Sequence, residues 1–217
     1  MKKAFFTLTF LIFIAFSTNI VKSNEPCYPD CENSQWSTQQ SITFFLQECN
    51  AEVTVYYRYR IACGIWYDYY IDYVLLGDAS DCLDDHYGGD LNMMMRDICE
   101  ALIVQNPANF PPYEEGQCEL NWRVLKGSCW RPDIIPHVPK IQANADNKSD
   151  KEINKALGID YDILIPCSSN DCCLEYFRVC INNGIREITQ TGYLPPEDPD
   201  CINNPGCFPV CGSVYNR

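Results

Sequence analysis

Between residues 53 and 73, apolar and polar side chains alternate with a period of two. Val53, Val55, Tyr57, Tyr59 and Ile61 are interleaved with Thr54, Tyr56, Arg58 and Arg60. After Ala62-Cys63-Gly64 the alternation resumes, with Ile65, Tyr67, Tyr69, Ile71 and Tyr73 set against Trp66, Asp68, Tyr70 and Asp72. Successive side chains of a strand point to opposite faces, so the pattern predicts a hairpin inside a β-rich stretch from Ile42 to Leu76. A three-residue hairpin loop takes a left-handed residue at its third position, and Gly64 supplies one. That loop pairs Ile61 with Ile65, Tyr59 with Tyr67, Tyr57 with Tyr69 and Val55 with Ile71, which keeps one face apolar. The other face then sets Arg60 against Trp66, Arg58 against Asp68, Tyr56 against Tyr70 and Thr54 against Asp72. A two-residue turn at Cys63-Gly64 would mix the two faces.

Further along, the period changes to that of a helix. Leu91, Met94, Met95, Ile98 and Leu102 fall on one helical face, Asp90 is placed to cap it, and Pro107 ends the pattern after about Gln105. Cys99 lies beside that face, so a disulfide from the helix to the sheet is expected. A second hairpin is predicted from Cys118 to Trp130, turning at Lys126-Gly127. Strands are predicted near Ile163–Ile165, from Cys173 to Ile181 and from Ile185 to Thr191, the last two joined by Asn183-Gly184, a strong two-residue turn signal. The segment from Glu48 through the first hairpin is echoed faintly by the one from Cys173 onward. The fold class is therefore α+β and β-dominated: disulfide-rich antiparallel hairpins with one main helix at about 90–105.

The first residues place this fold outside the cell. Lys2 and Lys3 precede an apolar run from Ala4 to Phe16, and Val21 and Ser23 are small enough for cleavage before Asn24. Residues 1–23 thus read as a signal peptide, with no later segment long and apolar enough to span a membrane. The expected location is secreted, periplasmic or on the cell surface. All 15 cysteines follow the leader. Eight precede a proline-rich and polar stretch at 132–157: Cys27, Cys31, Cys49, Cys63, Cys82, Cys99, Cys118 and Cys129. Seven follow it: Cys167, Cys172, Cys173, Cys180, Cys201, Cys207 and Cys211. In an exported chain this reads as a disulfide framework, and the lack of any Cys-x-x-Cys pair argues against zinc. The division predicts an N-terminal α+β module at 24–131, a linker at 132–157 and a cysteine-rich hairpin module at 158–217. Eight cysteines close on themselves and seven do not, so the odd one is expected in the C-terminal module, available for a covalent homodimer. Asn147-Lys148-Ser149 in the linker is a glycosylation sequon.

Charge narrows the partners. The chain has 29 acidic residues against 16 basic and a formal net charge of −13, which grows more negative once Lys2, Lys3 and Lys22 leave with the leader. No basic cluster offsets this, so nucleic acid is excluded as a partner. The even-numbered hairpin face carries Tyr56, Arg58, Arg60, Trp66, Asp68 and Tyr70, the combination of flat rings and paired charges that grips a glycan or a protein. The same residues would serve equally as a covered packing face. Asp78, Asp81, Asp84 and Asp85, with Asp90, form an acidic loop that could take calcium, although the spacing is not that of an EF-hand. Glu197, Asp198 and Asp200 repeat the feature more weakly. His86 and His137 are the two histidines, and no hydrolase, metalloprotease or phosphate-loop motif accompanies them. The expected function is therefore non-catalytic, a surface, structural or adhesive component that binds a glycan or protein partner and needs no cofactor. A secreted hydrolase or a calcium-dependent module is the alternative.

Overall fold

The computed structural model describes residues 34–133, 163–168, 172–195, 201 and 204–212. The expected signal peptide, most of the expected linker with its sequon, Cys27, Cys31, His137 and the acids at 197–200 lie outside the described residues. The strands are β1 (Gln40–Leu46), β2 (Ala51–Ala62), β3 (Trp66–Leu75), β4 (Cys118–Gly127), β5 (Cys129–Asp133), β6 (Ile163–Pro166), β7 (Cys172–Asn182), β8 (Ile185–Leu194) and β9 (Phe208–Pro209). Two α-helices, α1 (Cys82–Asp85) and α2 (Leu91–Gln105), lie between β3 and β4. The fold is β-dominated α+β, as the pattern of the chain predicts. All nine strands belong to one sheet. Six of them run in the order β1-β2-β3-β4-β7-β8, with β3 and β4 parallel and every other pair antiparallel.

The β2–β3 hairpin forms where the alternation places it, with its register slid by two. Ala62 faces Trp66, Arg60 faces Asp68, Tyr59 faces Tyr69 and Tyr57 faces Ile71. The loop is Cys63-Gly64-Ile65, one residue later than expected, because the turn uses two successive left-handed residues, Cys63 at φ 52° and Gly64 at φ 72°. The Ile65 N–H donates to the Ala62 carbonyl at 3.1 Å to close it. A slide of two keeps every side chain on its predicted face, which is why the two-face reading survives the wrong pairing. Asp72 is then an extra residue opposite Tyr56 and Tyr57, a bulge beyond which Val74 turns inward in place of Tyr73. The β7–β8 hairpin turns at Asn183-Gly184 as expected, both residues left-handed, with Asn182 facing Ile185. It too carries a bulge, at Tyr176/Phe177.

Lys126-Gly127 is not a hairpin turn. β4 runs on through it, parallel to β3 and antiparallel to β7, and the chain continues almost directly into β5. What Gly127 supplies is room, since a Cβ there would lie 2.7 Å from the Pro166 Cβ. At this point β5 leaves β4's partners, and β6 fits between β5 and the end of β3, pairing Leu164 with Val74 on one side and with Pro132 on the other. β9 extends this side wing beyond β5.

Helix α2 covers one face of the sheet. Asp90 caps it, its carboxylate accepting from the Met93 N–H at 3.2 Å, and Asn106 ends it in the left-handed conformation. Leu91, Met94, Met95, Ile98 and Leu102 are all buried against β-strand residues such as Val55, Ile71, Trp122 and Phe177. The helix packs against both β1 and β8, at opposite ends of the strand order, so the sheet curls around it.

The cysteine pairing departs from the expected two modules. Five disulfides join described cysteines: Cys49–Cys82, Cys118–Cys180, Cys129–Cys201, Cys167–Cys207 and Cys173–Cys211. Cys63 and Cys172 are disulfide-bonded as well. Two of the five, Cys118–Cys180 and Cys129–Cys201, cross from before the proline-rich stretch to beyond it, as does the β4–β7 pairing. Among the described cysteines the free thiol is Cys99, in α2 and fully buried. It neither ties the helix to the sheet nor lies in the C-terminal segment, where all seven cysteines are bonded. Counting cysteines on each side of a linker assumes closed modules, and a shared sheet breaks that assumption.

Candidate functional site

The face expected to bind is largely occupied. Asp68 is fully buried and accepts from Arg123 through both oxygens, at 2.6 and 2.7 Å, and from Arg60 at 3.0 Å. Each guanidinium lies under a tryptophan ring, Arg60 at 4.2 Å from Trp36 and Arg123 at 4.6 Å from Trp66. Two stacked arginines on one bidentate carboxylate form a desolvated, well-satisfied network. The predicted kinds of contact are present with other partners. Arg60 stacks on Trp36 rather than Trp66, and Arg58 pairs with Asp72 rather than Asp68, half-buried at 3.2 Å. Tyr70 is buried with Leu125 and Leu174 under Trp36, and burial pushes its phenol up to about 12. Tyr56 stacks on Tyr73 at 4.2 Å. This face is thus a second, smaller core.

Beside it the chain builds an open cleft of about 490 Å³. One wall is the segment Gln35-Trp36-Ser37, held to β2 by the Ser37 N–H to the Tyr59 carbonyl and the Tyr59 N–H to Ser37 Oγ, at 2.9 and 3.0 Å. The other wall is the loop from Ala108 to Tyr113. Its rigidity has a specific origin in Asn106, which is buried at the end of α2. Asn106 Nδ2 donates to the Phe110 carbonyl and its Oδ1 accepts from the Phe110 N–H, both at 2.8 Å. The Ala108 N–H donates to the Tyr69 hydroxyl, and Trp122 Nε1 donates to the Pro111 carbonyl at 2.7 Å. Phe110 is thereby fixed within 5.2–6.0 Å of the rings of Tyr59, Tyr67, Tyr69 and Trp122. At the rim Tyr113 is 62% exposed and Ile61 51% exposed. Among the described residues no acid lines the cleft, although the chain is strongly acidic overall.

Of the residues expected to bind, Arg60 alone lines this cleft, and its head group is committed to Asp68. Phe110 and Tyr113 escape sequence reasoning because their loop has no period. The available signal was two aromatics among prolines directly after a helix stop, in Asn106-Pro107 to Pro112-Tyr113.

The acidic loop gathers nothing. Asp78, Asp81, Asp84 and Asp85 are exposed on two short helical turns, and among the described residues no three acidic, histidine or cysteine side chains are grouped to hold a metal ion. Asp90 is spent on its helix cap. His86 is exposed and packs edge-on to Tyr87 at 4.8 Å.

A third polar group lies beneath α2. Lys126 has no exposed surface, and its ammonium lies 2.5 Å from the carboxylate of Glu175, itself 2% exposed. The Cys99 thiol lies against the same ammonium. Burial pushes the thiol up to about 12, so Cys99 stays protonated and unreactive at neutral pH. Burial opposes the charge on Lys126, but the ammonium is held above its usual range, with the Glu175 carboxylate beside it favouring the charged form.

No family model matches the chain, and comparison with curated proteins and with solved structures finds no match.

Proposed function

We propose that this chain is an exported, non-catalytic binding protein whose aromatic cleft takes a glycan. The observation that carries the reading is the cleft between Trp36 and Tyr113: aromatic, pre-formed and, among the described residues, lined by no acid in an otherwise acidic chain. A sugar ring offers an apolar C–H face that packs on aromatic rings and a rim of hydroxyls that needs neutral donors and acceptors. The cleft offers both, with Trp36, Tyr59 and Tyr113 beside the amides of Gln35 and Asn109. Its walls are held by hydrogen bonds before any ligand arrives, so little ordering cost opposes binding. The disulfides support the export part of the reading, since such bonds persist in oxidising compartments.

The test is retention on immobilised oligosaccharides of mixed composition, comparing the secreted protein with Tyr113→Ala and Gln35→Ala. Both residues are exposed, so neither change threatens the fold. Tyr113→Ala is expected to weaken retention about tenfold or more, the loss of one aromatic anchor. Retention on no sugar, or retention indifferent to both changes, would overturn the proposal.

A further inference from the structure

The curled sheet also leaves a gap. Among the described residues β1 pairs with β2 alone and β8 with β7 alone, so each presents a free edge. Helix α2 fills the space between these edges incompletely, and a groove of about 400 Å³ remains, bordered by Phe45 of β1, Arg186 of β8 and Val104 of α2. It shares no lining residue with the aromatic cleft. Two exposed apolar side chains line it among polar ones, Phe45 at 54% and Val104 at 44%. Its lining carries three carboxylates, Glu48, Asp97 and Glu100, against the single cation Arg186. Arg96 neutralises part of this, at 3.0 Å from Asp97 and 3.8 Å from Glu100. Three carboxylates thus face two guanidinium groups, Arg186 and Arg96, and the balance remains negative.

We infer that this groove is a docking site for an extended, basic segment of a partner protein, added as a strand to a free sheet edge with its cationic side chains toward Glu48 and Glu100. Three independent features converge on that occupant. A free edge offers unpaired backbone donors and acceptors, which an extended peptide satisfies and a helix does not. Exposed apolar side chains in the groove provide pockets for alternate residues of such a strand. The surplus carboxylates select lysine or arginine at the remaining positions and steer a cationic segment in. The glycan reading of the other cleft is not needed for this one.

The experiment uses the full secreted chain and a synthetic peptide of alternating lysine and valine, with its glutamate–valine counterpart and an N-methylated lysine–valine version. Isothermal titration is expected to show binding of the lysine–valine peptide only. The variant Glu48→Lys, at an exposed position of the groove, is expected to lose about tenfold or more in affinity. Asp133→Lys, on the side wing away from α2, makes a like change in charge and is expected to bind nearly as the parent does. Melting curves of both variants establish that they fold. Failure of the parent to bind, equal binding of the acidic or N-methylated peptide, or an equal loss in Asp133→Lys would each overturn the inference. The last outcome would mean attraction to net charge alone. Tyr113→Ala is expected to leave peptide binding unchanged, which separates this site from the aromatic cleft.

Discussion

Lys126 is a lysine inside a core, and its neighbours explain how the chain tolerates it. Its ammonium meets Glu175 from the adjacent strand β7, with the Cys99 thiol above, under the buried face of α2. Two desolvated charges gain little over a well-packed apolar pair, but removing one strands the other. Lys126→Met is therefore expected to cost about 3–5 kcal/mol, read from urea denaturation midpoints, because it leaves the Glu175 carboxylate buried without its cation. Lys126→Met combined with Glu175→Leu is expected to recover most of that loss. A recovery of nothing would show that the pair contributes through shape rather than charge. None of this was legible in Val124-Leu125-Lys126-Gly127, where a lysine before a glycine looks like an exposed turn. Asp68 was half legible: an aspartate facing an arginine across a hairpin predicts an ion pair. That a third strand would bring Arg123 to it and close the site from solvent is tertiary information.

Elements whose signals are local came through well. Helix α2 was readable from end to end because its cap, apolar stripe and stop are all local. Asp90→Ala is accordingly expected to cost about 1 kcal/mol in a denaturant titration, with far-UV helicity retained at low denaturant. An unchanged midpoint would mean that packing of the stripe alone defines the start of the helix. The β7–β8 hairpin was readable for the same reason, since Asn183-Gly184 fits a two-residue turn and little else. The β2–β3 hairpin was readable in its faces and not in its pairing. Alternation determines which side a residue occupies, whereas the opposite partner depends on which two residues turn left-handed, and Cys63 carries no strong preference for that conformation. β4 was misread because its partners, β3 and β7, lie far off in the chain. The aromatic cleft was invisible for a related reason: its walls come from 35–37 and 108–113, neither of which has a period, and β2 brings them together.

At the scale of the molecule, the expected division at 132–157 conflicts with how the sheet is assembled. β4 and β7 pair along most of their length, and burial along this pairing includes Val124, Leu125, Leu174 and Phe177. The segments on either side of the proline-rich stretch therefore share a core, and Cys118–Cys180 and Cys129–Cys201 lock that arrangement covalently. A protease site introduced between Asp150 and Lys151 tests this directly. After complete cleavage, the protein is expected to run as one species without reductant and as two pieces under denaturing, reducing conditions. Gel filtration under native, mildly reducing conditions discriminates further. If strand pairing holds the halves together, the cut and reduced protein still elutes as one body, because a buried β4–β7 interface does not dissolve when the cross-links open. If the halves are modules joined mainly by cysteines, they separate at that step. The first outcome is expected, because the apolar contacts between β4 and β7 are continuous with the core under α2 and cannot be exposed without opening it.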